Sequence, residues 1–331
     1  RFPARKIPVF AKMKFRDARI PVKVLNFFWY EGGRPRLDFF FRRPLDLTHS
    51  ATPLILPAGG KKIVTVHDLF FMDSPDLAGE EAGEIFARHA PTAWRTADGI
   101  ITFSSFTKHE LVSRFGIREQ KIRVIPHGLD RRFLEEVPPT ELEEIKKRYD
   151  LPLPFLLFVG AQEPRKNLFR LLNVLRIVHL RGHKVALVLA GPQGQDSAEL
   201  LTYAEKIGLA PWIRFTGYLP EKDLRSIYRL ATVFVFPSLY EGFGLPLLEA
   251  MASGVPVAAS FTSAIPEVCG DAAAYFRPED PQSIADKILL LLESRQAREE
   301  LIAKGRKRAS VFSWEKAASQ TLEFYYSFKD K

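Results

Sequence analysis

The 331 residues contain a single cysteine, Cys269, so the chain can form no internal disulfide and no cysteine cluster for zinc. That usage suits a reducing compartment, and the expected location is the cytoplasm. No Asn-x-Ser/Thr triplet is present, so nothing marks a secreted glycoprotein. No uninterrupted apolar run approaches the ~18 residues of a membrane helix. The opening residues also lack the strand and Gly-rich turn with which a nucleotide-binding α/β domain usually begins. The expectation is a first domain short of its initial strand–helix unit, and for the same reason no signal peptide can be assessed.

What is there is ordinary globular material: 46% hydrophobic and 26% charged residues, in a length that suits two domains. The net charge of +9 is concentrated at one end. Residues 1–50 hold 12 Lys/Arg against 4 Asp/Glu, a balance of +8, interleaved with Phe15, Phe27, Phe28, Trp29, Tyr30, Phe39, Phe40 and Phe41. Such a stretch fits an anionic membrane surface, or else helices with one packed face and one solvated basic face. A nucleic-acid partner is not expected, since no reading motif accompanies the basic residues.

Short apolar runs alternate with helical patterns, the signature of parallel sheets covered on both faces. In the first half, strands are expected at Leu45–His49, Ile63–His67, Gly99–Ser104 and Ile122–Ile125, with a capped helix over Ser105–Phe115. Pro138-Pro139 and a charged helix over Thr140–Tyr149 mark a linker. The second half offers Phe155–Val159, Val185–Ala190, Ile213–Thr216, Val233–Phe236, Val257–Ser260 and Ala273–Phe276, enough for a complete doubly wound domain. The expected division is a first domain over 1–135, a second over 136–312, and a C-terminal helical segment over 313–331 that packs back towards the first. There is no internal repeat and no low-complexity segment.

In an open α/β sheet, ligands bind beyond the carboxyl ends of the strands. The unusual residues of the second half collect there: Gly160 through Asn167 after the first strand, Gly217-Tyr218 after the third, and Tyr240-Glu241-Gly242-Phe243-Gly244 after the fourth. Gly242 and Gly244 let backbone approach a ligand, and Pro246 fits the first turn of a helix over Leu245–Ala252. That helix points free N–H groups at the loop, a seat for phosphate, with Arg165 and Lys166 as cationic partners. Glu241 and Glu249 would repel phosphate, so hydroxyls are their natural partners: a ribose diol for Glu249 and sugar hydroxyls for Glu241. Alone, each has an ordinary explanation, Glu249 favouring a helix dipole and Arg165-Lys166 a solvated pair. Their convergence on adjacent strand ends is what singles them out.

The run Glu241-Gly242-Phe243-Gly244-Leu245-Pro246-Leu247-Leu248-Glu249-Ala250 resembles the Glu-x7-Glu signature of retaining GT-B glycosyltransferases of family 4, also called glycosyl transferases group 1. Ala252-Ser253-Gly254-Val255-Pro256-Val257, Val159-Gly160 followed by Glu163-Pro164-Arg165-Lys166-Asn167, and Val124-Ile125-Pro126-His127-Gly128-Leu129-Asp130 extend the likeness over nearly the whole chain.

The resemblance implies two Rossmann-like domains facing across a cleft, the donor nucleotide sugar on the second and the acceptor on the first. By analogy Glu249 binds ribose, Glu241 the donor sugar, and Arg165 and Lys166 the pyrophosphate, assisted by Gly160 and by Phe243, Gly244 and Leu245. The base would lie near Gly217-Tyr218-Leu219. His67, in His67-Asp68-Leu69, would approach the donor sugar from the first domain, and Ser104, Ser105 and Lys108 are weaker acceptor-side candidates. No cofactor or metal is implied, and no Asp-x-Asp pair argues for one. The chain departs from its relatives at Ala161, where many carry Arg, and at His127, where Asn is usual. The Glu-Pro-Arg-Lys-Asn loop is most like that of bacterial mannosyltransferases of polysaccharide and lipopolysaccharide assembly. GDP-mannose is therefore the favoured donor and a glycan or lipid-linked molecule the acceptor, with a peripheral site at the inner membrane face. A UDP-glucose or UDP-GlcNAc type of transferase, a sugar-nucleotide epimerase and a non-catalytic nucleotide-sugar-binding protein are the alternatives.

Overall fold

The computed structural model describes residues 33–74 and 80–329, together with Val24, Phe28 and Trp29. Phe15, Phe27 and Tyr30, with most of the basic stretch for which a lipid surface and packed helices are the two readings, lie outside the described residues.

Two sheets carry the fold. The first has the order β1-β2-β3-β4: Leu47–Ser50, Lys61–Val66, Gly99–Thr102 and Ile122–Val124. The second has the order β10-β9-β8-β5-β6-β7, from β5 (Phe155–Val159), β6 (Ala186–Ala190), β7 (Ile213–Gly217), β8 (Val233–Phe236), β9 (Val257–Ser260) and β10 (Ala273–Phe276). Every pairing is parallel. The strands β5, β6, β8 and β9 are buried along their whole length, which is why they read as unbroken apolar runs.

Several boundaries shift by one or two residues from expectation, and two of the shifts bear on function. β2 pairs Lys61 and Lys62 with Leu47 and Thr48 and ends at Val66, so His67 stands in the loop beyond the strand. β3 ends at Thr102, because Ser104 turns to cap the helix Ser105–Phe115, its Oγ accepting from Thr107 N–H at 3.1 Å.

The second sheet reverses direction between β5 and β8: the chain runs outward through β6 and β7, then returns to the other side of β5. Such a switch point opens a crevice at the strand carboxyl ends. The loops that flank it are residues 160–167, after β5, and residues 237–244, after β8.

The chain passes between the sheets twice, side by side. Leu129 bridges Ser313, and a Cβ on Gly128 would sit 2.1 Å from Trp314 N, so only glycine allows the two passages to touch. Beyond the second passage, the helix Trp314–Tyr326 lies under the first sheet, where Ala317 and Phe324 pack with Ile63, Ile101 and Ile125. The loop after β8 is pressed equally close to the first sheet. A Cβ on Gly242 would lie 2.1 Å from His67 O and 2.6 Å from Asp68 Cβ. Gly242 has no positive φ, so Gly242→Ala tests that collision alone. The expected result is a fall in turnover of about tenfold or more, with nucleotide binding to the second domain retained. Wild-type kcat in the variant would show that the approach is not needed.

Candidate functional site

The centre of the crevice is a buried charge cluster. Glu241 and Lys166 expose 7% and 6% of their surface, and charges so buried demand partners. Lys166 Nζ donates to Glu241 Oε1, and Arg165 Nη1 donates to Glu241 Oε2 at 3.1 Å while its Nε donates to Glu163 Oε2 at 2.9 Å. Burial alone would push the Glu241 carboxyl up, but Lys166 and Arg165 hold it below its ordinary value. Burial dominates for Lys166 and pulls its ammonium down despite Glu241. Asp68, entering from the first domain, is pushed up by burial, partly offset by the hydrogen bond from Phe70 N–H and by Arg165. Two cations, Arg165 and Lys166, thus stand among three carboxylates, Glu241, Glu163 and Asp68. Arg165 and Lys166, expected to face a pyrophosphate, are both engaged with Glu241.

Local geometry explains this placement. Pro164–Lys166 forms one tight turn that ends at Asn167, φ +61°, whose Nδ2 donates to Pro237 O and Pro278 O. This ties the Arg165-Lys166 loop to the start of the Glu241 loop. Gly244, φ +105°, then turns the chain into the helix Leu245–Ala252, with Pro246 in its first turn. Glu249 sits four residues beyond Leu245, roughly 6 Å along the axis at 1.5 Å per residue. Its Oε2 accepts from Tyr228 Oη at 2.9 Å, and Oε1 has no protein partner among the described residues. Burial raises the Glu249 carboxyl above its ordinary value, and Tyr228 offsets only part of that.

Glu249 lines a cleft of about 320 Å³ together with Leu245, Tyr218, Leu219, Gly128, Asp130 and Trp314. Four residues named from sequence, Glu249, Leu245, Tyr218 and Leu219, therefore meet in one place. Tyr218 is 81% exposed at its mouth, while Leu219 is buried at its wall. Gly217, φ +67°, ends β7 and turns the chain just before them. Gly160 lies at the end of β5, where its N–H donates to Ala190 O and its carbonyl meets the Cα of Gly191. Phe243 is buried, its ring edge-on to His127 at 5.1 Å and to Phe312 at 5.9 Å.

His67 is exposed across the crevice. Its Nε2 lies 3.0 Å from Ala51 O; a carbonyl can only accept, so Nε2 is the donor of that hydrogen bond. The weaker acceptor-side candidates fare differently. Ser104 is fully buried as a helix cap, which accounts for it without a ligand. Lys108 pairs with Glu119 at 2.9 Å within its own domain and stands apart from the cluster. Ser105 N–H donates to Glu267 Oε1 at 2.8 Å, and Phe106 N–H to Oε2 at 3.2 Å, so a carboxylate from the second domain closes this helix N-terminus.

Several residues of the site carry no signal in the sequence. Tyr240 reaches into the first domain between Phe70 and Phe106, accepts from Leu69 N–H at 3.2 Å and donates to the Glu110 carboxylate. Tyr228, which orients Glu249, and Glu267 look like ordinary helix residues until the tertiary fold brings them in. His127 was legible only as a departure. Its ring stacks on Phe103 at 3.6 Å and lies 6.4 Å from His67, and it meets Phe243 of the second domain edge-on at 5.1 Å, which joins the two domains through an aromatic contact.

Burial, and then the charge of His67, lower His127 to about 4 from an ordinary 6.5. Between those values the unfolded chain binds a proton that the folded chain refuses, so His127 costs stability as pH falls from 6.5 to 4. Replacing it with Asn should shrink the stability lost between pH 7.5 and 4.5 by about 2 kcal/mol, read from urea melts. An unchanged loss would mean that His127 titrates normally in the folded chain.

Paired α/β domains with a charged crevice at a switch point define a two-domain enzyme of the GT-B class, and the comparisons agree. Anabaena HepE in complex with UDP and glucose superposes with a TM-score of 0.70 at 21% identity, covering 88% of this chain and 73% of that one. Residues 14–133 match glycosyltransferase family 4 and residues 140–308 match glycosyl transferases group 1; the chain belongs to this family and is a hexosyltransferase. O-antigen chain mannosyltransferase B of Escherichia coli is 32% identical over 80% of this chain and 70% of its own length. The Escherichia coli serotype-specific mannosyltransferase WbdA is 30% identical over 80% of this chain, which spans 33% of that longer protein. Among the described residues no helix is long and apolar enough to cross a membrane, and no group of three His, Cys, Asp or Glu could hold a metal ion.

Proposed function

We propose that the chain transfers mannose from GDP-mannose, with retention at the anomeric carbon, to a glycan or lipid-linked acceptor in polysaccharide or lipopolysaccharide assembly. The observation that carries the reading is the placement of Glu241 with Arg165 and Lys166 at one end of the helix Leu245–Ala252 and of Glu249 a turn further in. A diphosphate at the helix N-terminus lies between them, with ribose towards Glu249 and sugar towards Glu241 and His67. The likeness to two mannosyltransferases supports the donor.

The bond that breaks joins the anomeric carbon to the diphosphate. Negative charge grows on the leaving oxygen, and the helix N-terminus, Arg165 and Lys166 are the groups placed to stabilise it. They do so once the sugar hydroxyls take over Glu241, which frees both cations for phosphate. Of the carboxylates nearest the sugar, Glu241 is doubly bound and Asp68 accepts from Phe70 N–H at 3.1 Å, so neither is presented as a free nucleophile. Attack by the acceptor hydroxyl from the face of the departing diphosphate, which accepts its proton, fits that arrangement. Closure by Gly242, Tyr240 and Glu267 keeps water out of the crevice.

The test is a thermal-shift panel of GDP-, UDP- and ADP-sugars in EDTA, since a ligand of the folded state raises the melting temperature by mass action. GDP-mannose should give the largest shift. A larger shift with a UDP sugar would reassign the donor, and a shift that needs a divalent ion would remove the metal-independent mechanism.

A further inference from the structure

Four non-glycine residues among those described have a left-handed backbone: Arg42, Asp150, Asn167 and Ser263. Asn and Asp tolerate that region through local side-chain hydrogen bonds, whereas serine is strained there relative to glycine. Ser263, φ +50°, lies in the loop after β9, beside the charge cluster. Glu241 N–H donates to Ser263 Oγ at 2.9 Å, and Ala264 N–H donates to Glu241 O at 3.2 Å. The left-handed turn lets the serine hydroxyl and the next backbone N–H address one residue from both sides. Glycine would make the turn without strain, so what serine adds is the hydroxyl.

We propose that Ser263 is a positioning residue that fixes the main chain of Glu241, so that its carboxylate meets the donor sugar in the reactive orientation. The inference rests on the sugar-binding role of Glu241 proposed above. Arg165 and Lys166 hold the carboxylate when no donor is present. Once sugar hydroxyls compete for it, the side chain loses those two anchors, and the backbone clamp keeps the residue in place. Without the clamp, donor still binds through Glu249 and the helix N-terminus, but the sugar is held at the wrong angle.

Three variants in the full chain test this, each assayed for kcat, donor KM and melting temperature. Ser263→Gly relieves the strain and deletes the hydroxyl. It should melt at or above the wild-type temperature, lose about tenfold in kcat and change donor KM by less than about threefold. Ser263→Thr keeps the hydroxyl but strains the turn further, since a β-branched residue fits left-handed backbone poorly. It should melt lower and, while folded, keep kcat within about threefold of wild type. A more stable variant that is slower, beside a less stable one that is not, is a pattern no purely structural role produces. Wild-type kcat in Ser263→Gly, or equal losses in both folded variants, overturns the proposal. Glu241→Gln separates the two readings: normal turnover there removes the role of Glu241 and this inference with it. An inactive Glu241→Gln beside a fully active Ser263→Gly removes Ser263 alone.

Discussion

Glu241→Gln is expected to lower kcat by about a hundredfold or more while tightening the binding of GDP itself. The two effects share one cause. In the ligand-free chain the Glu241 carboxylate neutralises Lys166 and Arg165, and the neutral amide leaves both cations free for diphosphate. Severalfold tighter GDP binding follows from removing a competing anion. Turnover falls because the amide is a poorer acceptor for sugar hydroxyls and no longer hands the cations over when the donor arrives. Stability should drop on the order of 3 kcal/mol, because Lys166 is left buried without its counter-charge. Lys166 can shed its proton to limit that cost, since burial already lowers its pKa. GDP affinity by calorimetry and kcat on the same preparation decide the matter. A variant that binds GDP more weakly would mean that the cations do not face the diphosphate.

Glu249→Ala is expected to act on affinity. A carboxylate accepting from ribose hydroxyls gains about 1.5–3 kcal/mol from a charged hydrogen bond, so its loss should weaken GDP binding about 10- to 100-fold. The thermal shift produced by donor should vanish at concentrations that saturate the wild type. Tyr228→Phe, which removes the hydrogen bond fixing Glu249 Oε2, should cost less, because the carboxylate stays in the cleft. Acid separates folding from binding. Burial raises Glu249 above its ordinary 4.5 by penalising the charged form, so its contribution to stability is fully present below 4.5 and is lost as pH rises through the raised value. Nucleotide affinity moves the other way, falling as the carboxyl gains its proton and accepts less well. An Ala variant that keeps wild-type affinity would remove Glu249 from the site.

The second domain was legible almost to the residue. β5, β8, β9 and β10 are apolar or β-branched runs bounded by Gly, Pro or charged residues, and the structure has strands over those residues. The crevice was legible too, because strand order places the residue 160–167 and 237–244 loops on either side of the switch point. What the residue types could not convey was partnership. Arg165 and Lys166 read as a cationic pair for phosphate, yet a buried carboxylate in the loop after the neighbouring strand claims them first. Ser104 looked like an acceptor contact, but a serine before a helix is more simply its cap. Tyr240, Glu267 and Ser263 lie beside or after the motif and act through contacts 22 to 171 residues distant in sequence, which no local pattern reports.

The central claim is that donor diphosphate displaces Glu241 as the partner of Arg165 and Lys166. A crystal structure of the chain with GDP-mannose, grown in EDTA, tests it most directly. The account predicts the diphosphate at the N-terminus of the helix Leu245–Ala252, within hydrogen-bond reach of Arg165 and Lys166. Glu249 would then lie on the ribose and Glu241 on the mannose. Glu241 still paired with both cations, and the diphosphate held elsewhere, would contradict it.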